Sequence, residues 1–240
     1  MQDRERWRQD MTLDLPDSLT ASPEQEALAL GLEHLIFDPI EEDAKRRRDE
    51  SDETTPPLRA YALLDAAQSP DIPICLEGFS NPARCLFDGD AYDNLAEVAP
   101  WLVELTRYSD VWDWFVEEGY GKDWGILIHS RLPLPRLKTQ LKRFLRVEDE
   151  DSDVYFFKYY RPEIFNKYVP RFDSIQRSTF WREIEAIYSE YHRDPQKLIR
   201  HHLDGEHVEQ EYDILSTGRR RLKTSFELNN ISGAYSQIER

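Results

Sequence analysis

Trp124-Gly125-Ile126-Leu127-Ile128-His129-Ser130 is the stretch on which the fold turns. Its first five residues are apolar or glycine, and Gly119 and Gly121 stop whatever precedes it. A run that is apolar on both faces reads as a strand buried on both sides. Gly125 inside it marks a close backbone approach or a bulge, since a residue without Cβ leaves room for a neighbour there.

Working outward, the same alternation of short apolar runs and helical patterns recurs. On the N-terminal side, Asp110 caps a helix that carries Val111, Trp114 and Phe115 on one side and Trp112 on the other. Before it, Trp101 to Leu105 is a strand following Pro100, Arg84 to Phe87 a short strand ended by Asp88-Gly89, and Arg59 to Asp65 a buried strand. On the C-terminal side, Leu134, Leu137, Leu141, Phe144 and Leu145 recur at helical spacing. Val154 to Tyr160 reads as an interior strand, and Pro162 opens a short helix that ends before Pro170.

Alternating strands and helices predict an α/β fold with a mixed central sheet flanked by helices over residues 58–175. A smaller helical C-terminal lobe is expected over 176–240. There Phe180, Ile184, Ile187, Tyr188 and Tyr191 share one face of a helix halted at Asp194-Pro195, and a shorter helix runs on to Leu203. Residues 1–57 read as a charged extension. It holds one helix, started by Ser22-Pro23 with Gln25 at the capping-box position and ended at Asp38-Pro39. Glu41 to Glu53 has almost nothing apolar to bury and reads as a solvated linker.

Composition narrows the function. The chain has 240 residues, with 47 Asp and Glu against 31 Lys and Arg, a formal charge of −16. That field repels a phosphate backbone and an anionic bilayer, so neither nucleic acid nor membrane is expected as a partner. No apolar stretch is long enough for a membrane span and no leader-like segment follows Met1, so a cytoplasmic protein is expected. Cys75 and Cys85 are the two cysteines, too few for a disulfide framework, and are expected as reduced thiols.

The search for chemistry returns no catalytic site, no metal site and no cofactor motif. There is no nucleophile elbow, zinc-protease helix or phosphate loop. Asp149, Asp151 and Asp153 alternate like a calcium loop, but Val154 stands at the obligatory glycine and Tyr160 at the closing glutamate, so a loop turn is expected. His201, His202 and His207 do not share one helical face and read as solvated surface. The alternative function is an enzyme with an unrecognised hydrolytic site built on His129 and neighbouring carboxylates. An immunity or scaffold protein is a third option. The feature that stands out in so acidic a chain is the basic series Lys138, Lys142 and Arg146. It reads either as a solvated face or as a docking stripe for an acidic partner segment. Trp112 is a second partner-binding candidate, as an exposed aromatic anchor.

Six pieces then fall in order: Tyr61-Ala62-Leu63-Leu64-Asp65-Ala66-Ala67, Arg84-Cys85-Leu86-Phe87-Asp88-Gly89, Ala99-Pro100-Trp101-Leu102-Val103-Glu104-Leu105, Trp124 to Ser130, Leu137 to Val147, and Phe156 to Pro162. Together they resemble the type VI secretion effector-adaptor domain, long catalogued as a domain of unknown function. The resemblance implies a non-catalytic protein that binds a toxic effector in the cytoplasm and loads it onto the VgrG spike protein. One departure is visible: where that family often has Asp-Pro-Arg, this chain has Arg161-Pro162-Glu163. Residues outside 58–175 are where the resemblance places partner specificity.

Overall fold

The computed structural model describes residues 22–148, 153–191 and 194–221. Its centre is a seven-stranded sheet in the order β2-β3-β1-β4-β7-β8-β9. The strands are β1 (Arg59–Asp65), β2 (Ala83–Cys85), β3 (Pro100–Leu105), β4 (Gly125–Ser130), β7 (Ile184–Glu190), β8 (Lys197–Asp204) and β9 (Glu206–Asp213). Helices lie on both faces, as an α/β layer requires. Every neighbouring pair is antiparallel, however, and not the partly parallel arrangement that alternation implied.

β1 shows how the sheet sorts its side chains. Ala60, Ala62 and Leu64 join the core on one face, Tyr61 and Leu63 the core on the other. The clearest sequence signal, β4, does the same with Leu127 against Ile126 and Ile128. A Cβ on Gly125 would stand 2.0 Å from the Leu63 carbonyl oxygen, so the expected close approach is present. The register shift in this strand falls instead between His129 and Ser130.

One face is covered by α1 (Pro23–Asp49), α2 (Asp71–Gly78), α4 (Asp110–Trp114, continued by a π-helical turn to Gly119) and a helix α8 over residues 214–221. The other carries α5 (Leu134–Lys142), α6 (Pro162–Tyr168) and α7 (Ser174–Phe180). α3 (Asp90–Leu95) leads into β3, and β5 (Arg146–Glu148) with β6 (Val154–Phe156) forms a separate two-stranded hairpin.

Three expectations are corrected. First, the helix begun by the Ser22 capping box does not stop at Pro39 but runs to Asp49, into the stretch read as a linker. Pro39 withholds an N–H from the Leu35 carbonyl. The neighbouring Ile36 carbonyl accepts a further hydrogen bond from the His129 ring at 2.8 Å. Beyond Pro39 the charged turns are pinned at Asp43, whose carboxylate is held by Arg46 at 2.6 Å and by Arg131 at 2.8 Å. Arg107 joins Glu33, Asp38 and Glu41 from β3's end. The Arg131 hydrogen bond, with Arg46 and the Leu58 amide, holds the Asp43 carboxyl down at about 2.

Second, the C-terminal lobe is mainly sheet. Helix α7 ends at Phe180, and Ile184, Ile187 and Tyr188 lie in β7, paired with β4. β7 is buried at all but one position, so its apolar residues follow no strand period and mimic a helical one. β8 and β9 form a hairpin around Gly205, whose φ of +69° suits glycine. Only α8 is helical among the described residues after Trp181. Third, the interior strand expected from Val154 to Tyr160 is the exposed β6, followed by irregular chain in which Tyr159 and Tyr160 are buried.

Close packing ties the two ends together. A Cβ on Gly31 of α1 would meet the Ile214 carbonyl oxygen at 2.1 Å, and one on Gly218 of α8 would meet the Ala27 carbonyl oxygen at 1.6 Å. The two glycines let the backbones of α1 and α8 touch.

Candidate functional site

The basic series splits between α5 and the strand that follows it. Leu134, Leu137 and Leu141 point into the core, which fixes the rotation of the helix. Lys138 and Lys142, one turn apart, both reach Asp88, Lys142 at 2.6 Å. The two ammoniums hold the Asp88 carboxyl below its ordinary value. Arg146 lies beyond the helix, exposed in β5. Lys138, Lys142 and Arg146 therefore do not make one stripe, and two of them already have an internal counter-ion.

Other basic residues gather beside the same helix. Arg136, Arg143 and Arg182 are exposed and make no ion pair among the described residues. They line a cleft of about 1040 Å³ together with Arg59, Arg131, Gln140 and the apolar wall Pro56, Pro57, Leu132 and Pro133. The cleft is built firmly. The Gln140 side-chain amide donates to the carbonyls of Phe180 at 3.0 Å and Arg182 at 2.5 Å, which brings Arg182 to α5. Ser130 Oγ donates to the Glu183 carbonyl at 2.6 Å, and Glu183 takes a φ of +59° there. Arg131 is committed to Asp43, to Glu185 at 2.5 Å and to the Pro56 carbonyl at 2.6 Å, so it frames the cleft and does not supply free charge. Guanidinium groups offer paired donors matched to a carboxylate. Three of them share one opening with the exposed Glu183, in a chain of charge −16. Arg136 and Arg143 stood beside the basic series in the sequence. Arg182 gave no sequence signal, because only the fold carries it to α5.

A second surface is apolar. The β5–β6 hairpin and α6 enclose a groove of about 580 Å³ lined by Val147, Tyr155, Phe156, Phe157, Ile164, Tyr168 and Phe172, with Lys158, Arg161 and Arg171 at its edge. Val154 and Tyr155 are more than half exposed, and Phe156 and Tyr168 nearly so. Contiguous exposed aromatics of this kind mark contact surfaces on soluble proteins. Arg161, the first residue of the departing Arg161-Pro162-Glu163 triplet, lines this groove.

The remaining candidates are placed as follows. Trp112 is buried, edge-on to Phe37 with ring centres 4.8 Å apart, so it packs α4 against α1 and is not an exposed anchor. His129 is buried between the Ile36 carbonyl and Tyr188, and burial lowers its pKa to about 4. It is a core residue spent on the backbone of α1, which removes the proposed base of the hydrolytic alternative. Cys75 and Cys85 are free thiols pushed up by burial. Asp149 and Asp151 lie outside the described residues. His201 and His207 are not solvated: both rings are buried on one face of the β8–β9 hairpin, with His202 on the other. Sequence spacing missed this because residues 201 and 207 come together across a hairpin, not along a helix.

These surfaces define an α/β protein whose distinctive chemistry lies on its outside, in an arginine-framed cleft and an aromatic groove. Residues 60–179 match the family described as Domain of unknown function (DUF4123), and the chain belongs to that family. The match starts in β1 and ends in α7, so α1 and strands β7 to β9 complete the sheet and its cores from outside it. No curated protein and no solved structure matches the chain. Among the described residues no helix is long and apolar enough to cross a membrane.

Proposed function

We propose that this protein is an adaptor that holds a cognate toxic effector and carries it to the VgrG spike protein of a type VI secretion system in the cytoplasm. Membership of the family is consistent with the reading, and the six ordered sequence pieces resemble such adaptors. The observation that carries it is the trio Arg136, Arg143 and Arg182 around a cleft of about 1040 Å³, which make no ion pair among the described residues and are exposed to a partner. The aromatic groove supplies a second surface of different chemistry. Two surfaces on one body allow bivalent capture, in which holding one partner raises its effective concentration near the other.

The test is co-expression with the products of neighbouring genes, followed by pull-down and size-exclusion chromatography. Each exposed guanidinium–carboxylate pair contributes up to about 1 kcal/mol, and replacement by Glu adds like-charge repulsion. Loss of three pairs therefore weakens binding on the order of 100-fold. Reversal of Arg136, Arg143 and Arg182 to Glu is expected to abolish capture of an acidic partner and to remove its salt sensitivity. Reversal of Lys138 and Lys142, which breaks only the pairing with Asp88, is expected to leave capture intact. Unchanged capture by a folded Arg triple variant would discard the cleft as the docking site.

A further inference from the structure

Cross-strand pairing in the β8–β9 hairpin sets His201 opposite Glu209 and Leu203 opposite His207. Alternation then puts His201, His207 and Glu209 on the same face. Their facing atoms form a triangle: His201 Nδ1 to His207 Nε2 is 3.1 Å, His207 Nε2 to Glu209 Oε1 3.7 Å, and His201 Nδ1 to Glu209 Oε1 3.8 Å. Bond lengths of about 2.0–2.2 Å at a tetrahedral zinc put neighbouring ligand atoms about 3.3–3.5 Å apart. The three edges straddle that value.

A hydrogen-bond chain behind the triangle fixes which nitrogen of His201 carries a proton. Asn166 Nδ2 donates to the Glu190 carbonyl at 3.0 Å, which orients the amide so that Oδ1 faces His201. That Oδ1 accepts from Ser189 Oγ at 2.5 Å and lies 3.0 Å from His201 Nε2, which is also 2.8 Å from Ser189 Oγ. The Ser189 hydroxyl has one proton and gives it to Asn166, so His201 Nε2 must be the donor on that side. His201 Nδ1 is then left with its lone pair directed at His207 and Glu209. An imidazole whose far N–H is held by a carbonyl oxygen is the usual second layer of a metal site. Phe165 and Trp181 close the apolar side, with ring centres 4.9 Å from His201 and 5.6 Å from His207.

We propose that His201 Nδ1, His207 Nε2 and a Glu209 carboxylate oxygen bind one divalent transition-metal ion of the zinc class, with a fourth position open to solvent or to a partner's side chain. Two neutral imidazoles and one carboxylate are the donor set that suits such an ion. Without metal, His207 Nε2–H donates to His201 Nδ1. On binding, that proton shifts to His207 Nδ1, a buried atom with no partner among the described residues. The ion staples the outer two strands to each other. This site is independent of the arginine cleft and of the adaptor reading.

The test uses the full chain, stripped with chelator and titrated with Co²⁺ followed by visible absorption and with Zn²⁺ by calorimetry. Wild type is expected to take up one equivalent, with the band intensity of a four-coordinate site and an upward shift of the melting midpoint. Glu209 is about half exposed on an edge strand, so Glu209→Gln keeps the fold. It is expected to weaken binding by about tenfold or more, and His207→Asn to abolish the absorption band. A folded wild-type chain that takes up no stoichiometric metal would overturn the proposal. So would uptake that both substitutions leave unchanged.

Discussion

Replacing Glu190 with glutamine tests how the sheet tolerates a buried acid. Glu190 ends β7, is 5 % exposed, and has one carboxylate oxygen, Oε1, without a hydrogen-bond partner among the described residues. Its other oxygen accepts from the Asp123 amide at 3.3 Å. Burial, with a smaller contribution from the Asp123 carboxylate, raises the Glu190 carboxyl from an ordinary 4.5 to about 7, partly offset by the amides of Asp123 and Gly121. Between those two values the folded protein holds a proton that the unfolded chain has released. Stability therefore falls as pH rises through that window. Each pH unit contributes about 1.4 kcal/mol, so the full loss above pH 7 is about 3 kcal/mol. Glu190→Gln removes the titration. Urea unfolding at pH 5, 6, 7 and 8 is expected to give similar stabilities at the acid end. By pH 8 the variant should lead by about 3 kcal/mol, near 1 M in midpoint at a slope of about 3 kcal/mol per molar. The buried histidines titrate alike in both proteins and cancel in the difference. A gap that is constant with pH, or a variant less stable at pH 8, would refute the assignment of the cost to the buried carboxylate.

Asp43→Asn should act in the opposite sense. With Asp43 held at about 2, chiefly by the Arg131 hydrogen bond, its contribution is complete above the ordinary value of 3.8 and is lost as pH falls toward 2. Allowing for the solvent beside Arg46, the substitution is expected to cost about 1–2 kcal/mol at pH 7, with the difference closing in acid unfolding curves. Gly218→Ala places a methyl group against the Ala27 carbonyl and should destabilise by at least about 1–3 kcal/mol, as backbone cannot move aside. Thermal unfolding that is unchanged in this variant would show that α8 does not pack on α1.

The central part of the fold was legible because its signals are local. β1, β3 and β4 are short apolar runs bounded by proline, glycine or aspartate, and α5 repeats leucine at helical spacing. The start of α1 was written in Ser22, Pro23 and Gln25, and its capping box is present. Its end was not legible, since Glu41 to Asp49 looks like solvent-facing coil until Arg131, 88 residues away, arrives at Asp43. β7 was hidden for the converse reason: a strand buried on both faces has no period, and Ile184, Ile187, Tyr188 and Tyr191 happen to fit a helix. The candidate site divides in the same way. Basic residues on α5 were visible, but whether each meets an acid depends on Asp88 and on the approach of the Phe180–Glu183 turn.

Sequence by itself determined the acidic charge, the membership of a family, the central strands and the presence of a basic helix, because these follow from composition and from spacings of a few residues. Tertiary structure alone decided that the sheet is antiparallel throughout and that Arg136, Arg143 and Arg182 gather at one cleft without an ion pair among the described residues. It also decided that two histidines and a glutamate meet across a hairpin. Each of those outcomes is a contact between segments distant along the chain or on facing strands. Its energy depends on desolvation and on the distance between charged or polar atoms, which no local pattern of residues records.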